Sequence, residues 1–343
     1  MKFDVTIFPD DLNRAPDVGR QVEDYGFDGL WTAEAQHNPF LPLTLAAYST
    51  QRIQLGTGIA LAFPRSPMVT AQIAWDLAAQ SKGRFILGLG TQIKVHIVKR
   101  FSAHWSDKPV AQLREYVQAL RAIWKAFQSG GSLRYRGEHY DFGLLTPFFN
   151  PGPIEHPNIP VYVSGVGEPL CRLGGELADG FHVHPFHTVR YLREVVRPAI
   201  QSGAEAHGRS LSDVSLSCAV FVVTGRNAEE QAQVEREVKS QIAFYASTPS
   251  YQRVLEIHGW ADFGQRMNQL TKEGQWETMW REVPDEILHA FAIVAPPDEL
   301  PYKLRERYAG LLDRAGYYFP FRPEEEARKL VWDHAARAVR AGA

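Results

Sequence analysis

Eight short apolar runs, each rich in β-forming residues and followed by a helical pattern, constrain the fold of this chain more than any other feature. Strands that alternate regularly with helices predict an α/β fold with a parallel sheet. With 343 residues, 45% of them hydrophobic, the chain is long enough to bury a large core. The predicted strands are Phe3–Phe8, Gly29–Glu34, Gln54–Ala60, Phe85–Gly90, Val161–Val166, Gly180–Pro185, Val214–Thr224 and His289–Ala295.

The connection after the first run distinguishes an open sheet from a closed one. In an open dinucleotide-binding sheet, a GxGxxG motif would follow the first strand. This chain has Pro9-Asp10-Asp11-Leu12 there instead. Eight strand–helix units without that motif favour a TIM-type (β/α)8 barrel. The connections after the fourth and seventh runs are much longer than the others, so we predict one barrel domain over residues 1–343 with two insertions.

Capping and turn signals place several other elements. Ser66 followed by a proline is typical of a helix start and predicts a helix over Pro67–Ser81. A hairpin is predicted near Arg136, inside the first insertion. The segment Pro323–Arg340 predicts a last amphipathic helix outside the barrel.

Charge and apolar patterning exclude several classes of protein. Lys and Arg total 37 against 39 for Asp and Glu, a net charge of −2 that predicts no binding to nucleic acid or to an anionic membrane. No stretch approaches the roughly 18 apolar residues of a membrane span, and the N-terminus lacks the apolar region of a signal peptide. We expect a cytoplasmic protein in which Cys171 and Cys218 are buried thiols.

Glycines concentrate on one face of the third and fourth strands. Because side chains alternate along a strand, Gly56 and Gly58 share a face, as do Gly88 and Gly90. A barrel interior normally holds branched residues. The glycines either relieve crowding where the barrel closes or leave space for a flat ligand, and their presence on two adjacent strands favours the ligand.

Polar residues follow the second and fourth strands, where a barrel collects its catalytic groups. Glu34 and His37 are the candidates for proton transfer, although either could instead satisfy loop backbone. Thr91, Gln92 and Lys94 follow the fourth strand and begin a basic cluster that could equally be a solvated helix face. That cluster continues with Lys99 and Arg100.

Two further motifs end the fifth and sixth strands. Ser164, Gly165, Val166 and Gly167 lead into a helix, and free backbone N–H groups at a helix start suit a phosphate. His182 and His184 lie on one strand face. A metal-dependent hydrolase would need further ligands converging on that pair, so we predict no metal and assign the two histidines to substrate binding.

Together these motifs resemble the bacterial luciferase-like monooxygenase superfamily. The resemblance covers nearly the whole chain, and the segments at Phe244–Trp260 and His289–Leu300 are most similar to its coenzyme F420-dependent oxidoreductases. The earlier segments that carry it are Gly26–Phe40, Gln54–Ala60, Ser81–Gln92, Ile159–Glu168 and Leu177–Phe186.

The resemblance implies a TIM-type barrel and a non-prolyl cis peptide at Gly58–Ile59, behind the central ring of the cofactor. It implies that Ser164–Gly167 binds phosphate and that Thr91 and Gln92 contact the ring or its side chain. Sugar-phosphate-oxidising members use an Asp–His pair and a Glu beside the ring. Here the second-strand motif reads Ala-Glu-Ala-Gln-His and Gln92 occupies the Glu position, which argues against that substrate.

The implied activity is hydride transfer between F420 and a small organic substrate. Lys94, Lys99 or Arg100 would meet the anionic tail of F420, and Phe148, Phe149, Trp260 and Trp276 are possible pocket walls. The alternatives are an FMN-dependent monooxygenase that depends on a separate flavin reductase, and a non-catalytic flavin-binding relative. Homodimers are common in the superfamily, so a homodimer is expected.

Overall fold

The computed structural model describes residues 1–7, 11–319 and 325–340. Eight parallel strands form a closed ring, because the seventh strand pairs with the sixth and the eighth pairs with both the seventh and the first. The predicted TIM-type barrel is therefore confirmed. The barrel strands are β1 (Lys2–Ile7), β2 (Gly29–Thr32), β3 (Gln54–Thr57), β4 (Phe85–Gly90), β5 (Val161–Gly165), β6 (Gly180–Val183), β7 (Ser215–Val223) and β8 (Arg314–Tyr318).

The eighth strand was wrongly predicted. Within His289–Ala295 the structure has the end of a helix and then a three-residue strand, Ala292–Val294, which pairs with the last residues of β7. The ring is closed instead by β8, whose Ala315 pairs with Phe3 and with Cys218. Strand β8 begins with an arginine and contains a glycine, so it lacks the apolar run that identified the other strands.

The helices lie outside the ring. Ser66 accepts a hydrogen bond from the N–H of Val69 and begins α3, as predicted. The last predicted helix is confirmed from residue 325 onward; Pro323, like Phe8, Pro9 and Asp10, lies outside the described residues. The helices are α1 (Ala15–Tyr25), α2 (Phe40–Ser49), α3 (Pro67–Gln80), α4 (Pro109–Ser129), α5 (Glu168–Leu177), α6 (Val189–Tyr191, continued by the π-helical Leu192–Val196 and by Arg197–Glu205), α7 (Ala228–Ala246), α8 (Gln252–Glu256), α9 (Ala261–Lys272), α10 (Asp285–Phe291), α11 (Leu300–Tyr308) and α12 (Glu325–Arg340).

Both insertions carry their own secondary structure. The first, between β4 and β5, contains α4 and the predicted hairpin, in which Tyr135–Arg136 pairs with Asp141–Phe142. The second, between β7 and β8, contains α7 to α11 and the short strand Ala292–Val294. Cys171 and Cys218 are buried free thiols, as predicted.

The main core lies between the strands and the helices, whereas the barrel interior holds a smaller group of large side chains. Trp31, Ile86 and Tyr162 form a separate buried cluster inside the ring. Below them, Asp4 on β1 and Arg314 on β8 form a two-bond ion pair, with two N–O distances of 2.7 Å. The interior is therefore packed and partly polar, and it supports whatever lies above it at the carboxyl ends of the strands.

Candidate active site at the carboxyl ends of the strands

A cavity of about 270 Å³ opens at the carboxyl ends of the barrel strands, and we call it the rim cavity. Active sites of barrel enzymes lie at this end. Residues from seven of the eight strands or the turns that follow them, and Tyr245 from α7, form its wall. The lining residues are Asp4, Thr6, Trp31, Ala33, Ala35, Gly58, Ile59, Ser164, His182, Val183, His184, Pro185, Ser217, Cys218, Ala219, Tyr245, Gly316 and Tyr318.

The Gly58–Ile59 peptide bond in this wall is cis, as the family resemblance implies. It interrupts the predicted strand Gln54–Ala60, which resumes as the two-residue strand Ala60–Leu61 beside β4. The N–H of Gly58 donates to the Thr32 carbonyl at 2.8 Å. A Cβ atom on Gly58 would lie 3.5 Å from its nearest neighbour, on Trp31, so a methyl group would fit here in ordinary van der Waals contact.

Glu34 faces away from the rim cavity, while its neighbours Ala33 and Ala35 line it. Its carboxylate accepts two hydrogen bonds from Arg65, at 2.6 and 2.8 Å, and one from the N–H of Leu61 at 2.8 Å. Its own N–H donates to the Ile59 carbonyl at 3.0 Å. Glu34 therefore fixes the chain that carries the cis peptide.

The other residues predicted after β2 and β4 do not line the rim cavity. His37 is exposed. Gln92 has a φ of 59°, and its side chain accepts a hydrogen bond from the adjacent N–H of Ile93. Thr91 is partly buried, whereas Lys94 is exposed and lies 3.5 Å from Asp107. Arg100 donates to the carbonyl of Ala35, which joins the basic segment to the rim.

The predicted phosphate turn connects the cavity wall to the start of α5. Ser164 lines the cavity and donates to the His182 carbonyl at 3.0 Å. Gly167 occupies the N-cap position of α5 without a side-chain cap, and Pro169 follows in the first turn. N–H groups at such a helix start can bind an anion.

The glycine-lined face points into the barrel, but most of its space is filled by the protein. A Cβ atom on Gly56 would lie 2.1 Å from the Trp31 ring, and one on Gly88 would lie 2.7 Å from Nε2 of His182. A Cβ atom on Gly90 would meet the Ile59 side chain. Of these four glycines only Gly58 lines the cavity, so the prediction of a broad glycine surface for a ligand is corrected to this one position.

His182 and His184 both line the rim cavity, in agreement with their predicted common face. Burial lowers the pKa of each imidazole to about 3, assisted by Arg314 at His182 and by His187 at His184. The His182 ring lies edge-on to Trp31 with ring centroids 4.8 Å apart. Its Nε2 atom has no hydrogen-bond partner among the described residues. Both rings are neutral donors or acceptors at physiological pH.

Several wall residues were missed from the sequence. Tyr318 was missed because β8 was not recognised, and Tyr245 lies on a helix of the second insertion, 3.5 Å from Tyr318 between hydroxyl oxygens. Ser217 and Ala219 lie in a predicted strand, where alternation could have identified them. None of the four aromatic residues predicted as pocket walls lines the cavity: Phe148, Phe149, Trp260 and Trp276.

Comparison with known proteins identifies the family. The sequence profile of luciferase-like monooxygenases matches residues 4–314. The chain belongs to this family. Membership makes the protein an oxidoreductase.

Two relatives and one solved structure of another protein are similar to this family member over most of their length. An uncharacterized protein of Mycobacterium tuberculosis is 48% identical over 314 residues, which is 92% of each chain. A 5,10-methylenetetrahydromethanopterin reductase of Archaeoglobus fulgidus is 27% identical, over 89% of this chain and 90% of the relative. The coenzyme F420-dependent tetrahydromethanopterin reductase of Methanopyrus kandleri superposes with a TM-score of 0.81, at 22% identity and over 99% of both chains.

Two further findings concern metals and membranes. Among the described residues, no group of three or more His, Cys, Asp or Glu side chains could hold a metal ion. His182 and His184 thus lack the additional ligands that a metal-dependent hydrolase would need. Across the same part of the chain, every helix is too short or too polar to cross a bilayer.

Proposed function

We propose that this luciferase-like family member transfers a hydride between coenzyme F420 and a small organic substrate carrying an alcohol or carbonyl, a C=C bond or a C=N bond. The observation that carries the proposal is the wall of the rim cavity, which brings Gly58 and Ile59 together with Ser164, the first residue of the turn that leads into α5. The similar solved structure, which is named as a coenzyme F420-dependent reductase, supports F420.

The residues of the wall fit a flat ring attached to a phosphate. Gly58 and Ile59 would back the ring, and the turn from Ser164 to Gly167 would bind the phosphate through its N–H groups and the start of α5. Thr91 and Gln92 would lie beside the ring or its side chain. When bound, the deazaflavin supplies or accepts a hydride, so the protein's task is to bind, orient and exclude water.

Charged residues on the rim suit the acidic tail of F420. Lys94 and Lys99 are exposed, and Arg100 is held against the carbonyl of Ala35. We propose that this cluster meets the tail glutamates. Such contacts between exposed charges weaken as salt concentration rises.

We assign different roles to Glu34 and His37, the two residues predicted to transfer protons. The Glu34 carboxylate is bound by Arg65 and by a backbone N–H, which supports a role in positioning the chain around Ile59. His37 is exposed, two residues after Ala35 of the cavity wall, and is the proposed group for protonating or deprotonating the substrate.

Titration of the purified apoprotein with F420 and with FMN tests the proposal, using the fluorescence of each cofactor. We expect saturable F420 binding and much weaker FMN binding. Tight FMN binding without F420 binding would instead support the second candidate, a monooxygenase supplied by a flavin reductase, which the family's own description favours.

Two glycine-to-alanine substitutions provide a test of the proposed ring position and its matched control. Gly58→Ala would place a methyl group on the cavity wall at ordinary contact distances from Trp31 and His182, so the fold should persist. The methyl group would lie where the ring is proposed to bind, so F420 affinity should fall at least about tenfold. Gly143→Ala adds a methyl group with no atom within 4 Å and should leave affinity unchanged. Equal affinities for the two variants would contradict the proposed seat of the ring.

A further inference from the structure

The end of β6 and the turn that follows it contain three histidines, and the two in the turn form hydrogen bonds with its backbone. His184 and His187 belong to the segment His182-Val-His-Pro-Phe-His-Thr188. His187 was not among the predicted site residues. It is 2% exposed and does not line the rim cavity, whereas the His184 ring does. Their hydrogen bonds determine where each imidazole carries its proton.

The backbone determines the tautomer of His184. The N–H of Phe186 donates to Nδ1 of His184 at 3.0 Å, and an amide N–H can only donate. Nδ1 is therefore unprotonated. Because the ring is neutral, its proton must lie on Nε2, which is 3.5 Å from the Tyr251 hydroxyl oxygen. That distance is long for an N–H···O bond, so the N–H remains available to a better acceptor in the cavity.

His187 is held in the opposite tautomer. Its Nδ1 atom lies 3.0 Å from the carbonyl oxygen of His184, which can only accept, so Nδ1 carries the proton. Its Nε2 atom then accepts from the Tyr308 hydroxyl at 3.1 Å. The chain from Tyr308 through His187 thus fixes the main chain of His184, while Phe186 fixes its ring.

We propose that His184 is a preorganised neutral Nε2–H donor for an uncharged acceptor atom of the substrate, a carbonyl oxygen or an imine nitrogen, and that His187 is its positioning residue. This inference rests on the proposed function, because it narrows the substrate to a C=O or C=N compound. During reduction, the hydride adds to carbon, the π electron pair moves to the acceptor atom, and the Nε2–H group stabilises the negative charge that develops there. A neutral imidazole is a poor acid, so the proton finally gained by that atom comes from His37, the group proposed above for that transfer, which regains it from solvent.

Nitrogen NMR of the apoprotein tests the tautomers without any cofactor. With ¹⁵N-labelled histidine, assigned through single histidine variants, we expect His184 to carry its proton on Nε2 and His187 on Nδ1. A proton on Nδ1 of His184 would overturn the proposal.

Acetone, a small neutral ketone, is the probe of the donor. Titrated into the apoprotein, it should shift the His184 Nε2 resonance in a saturable way. His184→Gln keeps an N–H donor of similar reach and should bind acetone within about threefold of the wild type, whereas His184→Phe should weaken binding roughly tenfold, the usual scale for one hydrogen bond. An unmoved His184 resonance, or equal affinities for both variants, would overturn the proposal.

A second pair of variants tests the positioning role. His187→Asn retains an amide donor near the position of Nδ1, and His187→Leu does not. Acetone affinity should therefore be nearly preserved in the first and roughly tenfold weaker in the second. Equal losses in both would show that His187 serves only to fill space. If the wild-type apoprotein bound acetone as expected but did not bind F420, the proposed function would be contradicted and the donor role of His184 would stand.

Discussion

The carboxylate of Glu34 and the guanidinium of Arg65 form a two-bond ion pair, at 2.6 and 2.8 Å, that ties the end of β2 to the chain after the cis peptide. Only 5% of the Glu34 side chain and 15% of the Arg65 side chain is exposed. The pair explains why a carboxylate at a barrel strand end, an expected position for a catalytic group, faces away from the cavity.

Breaking this pair should destabilise the protein more than removing it entirely. Glu34→Gln alone leaves Arg65 without a counter-ion in a mostly buried place, which we expect to lower the free energy of unfolding by about 3 kcal/mol. The double variant Glu34→Gln with Arg65→Met should recover part of that loss. Urea denaturation measures both. Glu256→Gln, which breaks an exposed pair with Arg253, is the control and should cost less than about 1 kcal/mol.

His187 should make stability depend on pH. Burial lowers its pKa to about 4 in the folded protein, against about 6.5 in an unfolded chain. The unfolded state therefore binds a proton first as the pH falls. The contribution of His187 is complete above about pH 6.5 and is lost between about 6.5 and 4, a total of about 3 kcal/mol.

Two variants isolate this effect in urea titrations at several pH values. His187→Leu should flatten the decline in stability between pH 6.5 and 4 relative to the wild type. Phe186→Leu perturbs the same turn without removing a titratable group, so it should shift the whole curve and keep its slope. A His187→Leu curve parallel to that of the wild type would refute the assignment.

The sequence was most informative where local chemistry alone determines structure. Ser66 followed by a proline was sufficient to place the start of α3, and the apolar runs located the first seven barrel strands to within a few residues. The eighth strand was missed because Arg314 faces a buried Asp4 and Gly316 lies close to the main chain of β1, so neither position needs an apolar side chain.

The contents of the barrel interior could not be predicted from strand alternation. Alternation assigned the glycines to the inner face, but only three-dimensional packing shows that Trp31 and His182 occupy the space beside Gly56 and Gly88. The hydrogen bond between His187 and Tyr308 joins residues far apart in sequence, so no local sequence pattern predicts it.

Gly88 should tolerate no side chain. A Cβ atom there would lie 1.9 Å from the Thr57 carbonyl oxygen and 2.7 Å from His182. Gly88→Ala must displace backbone as well as the imidazole, so we expect a loss of about 3 kcal/mol in the free energy of unfolding and weaker binding of any ring in the rim cavity. Thermal and urea unfolding measure the loss. The exposed Gly143→Ala variant should stay within about 0.5 kcal/mol of the wild type.

The ion pair of Asp4 and Arg314 should matter to the active site through Trp31. Asp4 accepts a hydrogen bond from Nε1 of Trp31 at 2.8 Å, and the Arg314 guanidinium lies 5.3 Å from the centre of the same indole, which lines the rim cavity. Arg314→Met leaves the Asp4 carboxylate buried without its counter-ion, which should cost about 3–5 kcal/mol.

Arg314→Lys separates charge from geometry at this site. Lysine keeps the positive charge but cannot donate two parallel hydrogen bonds to one carboxylate. The free energy of unfolding of this variant should therefore lie between those of the wild type and the methionine variant. Urea denaturation ranks the three proteins, and Trp31→Phe identifies the contribution of this indole to the fluorescence spectrum. Equal losses for methionine and lysine would mean that the two-bond geometry, rather than the charge, supports Trp31. An unchanged Trp31 signal in both would show that the position of Trp31 in the cavity wall does not depend on the ion pair.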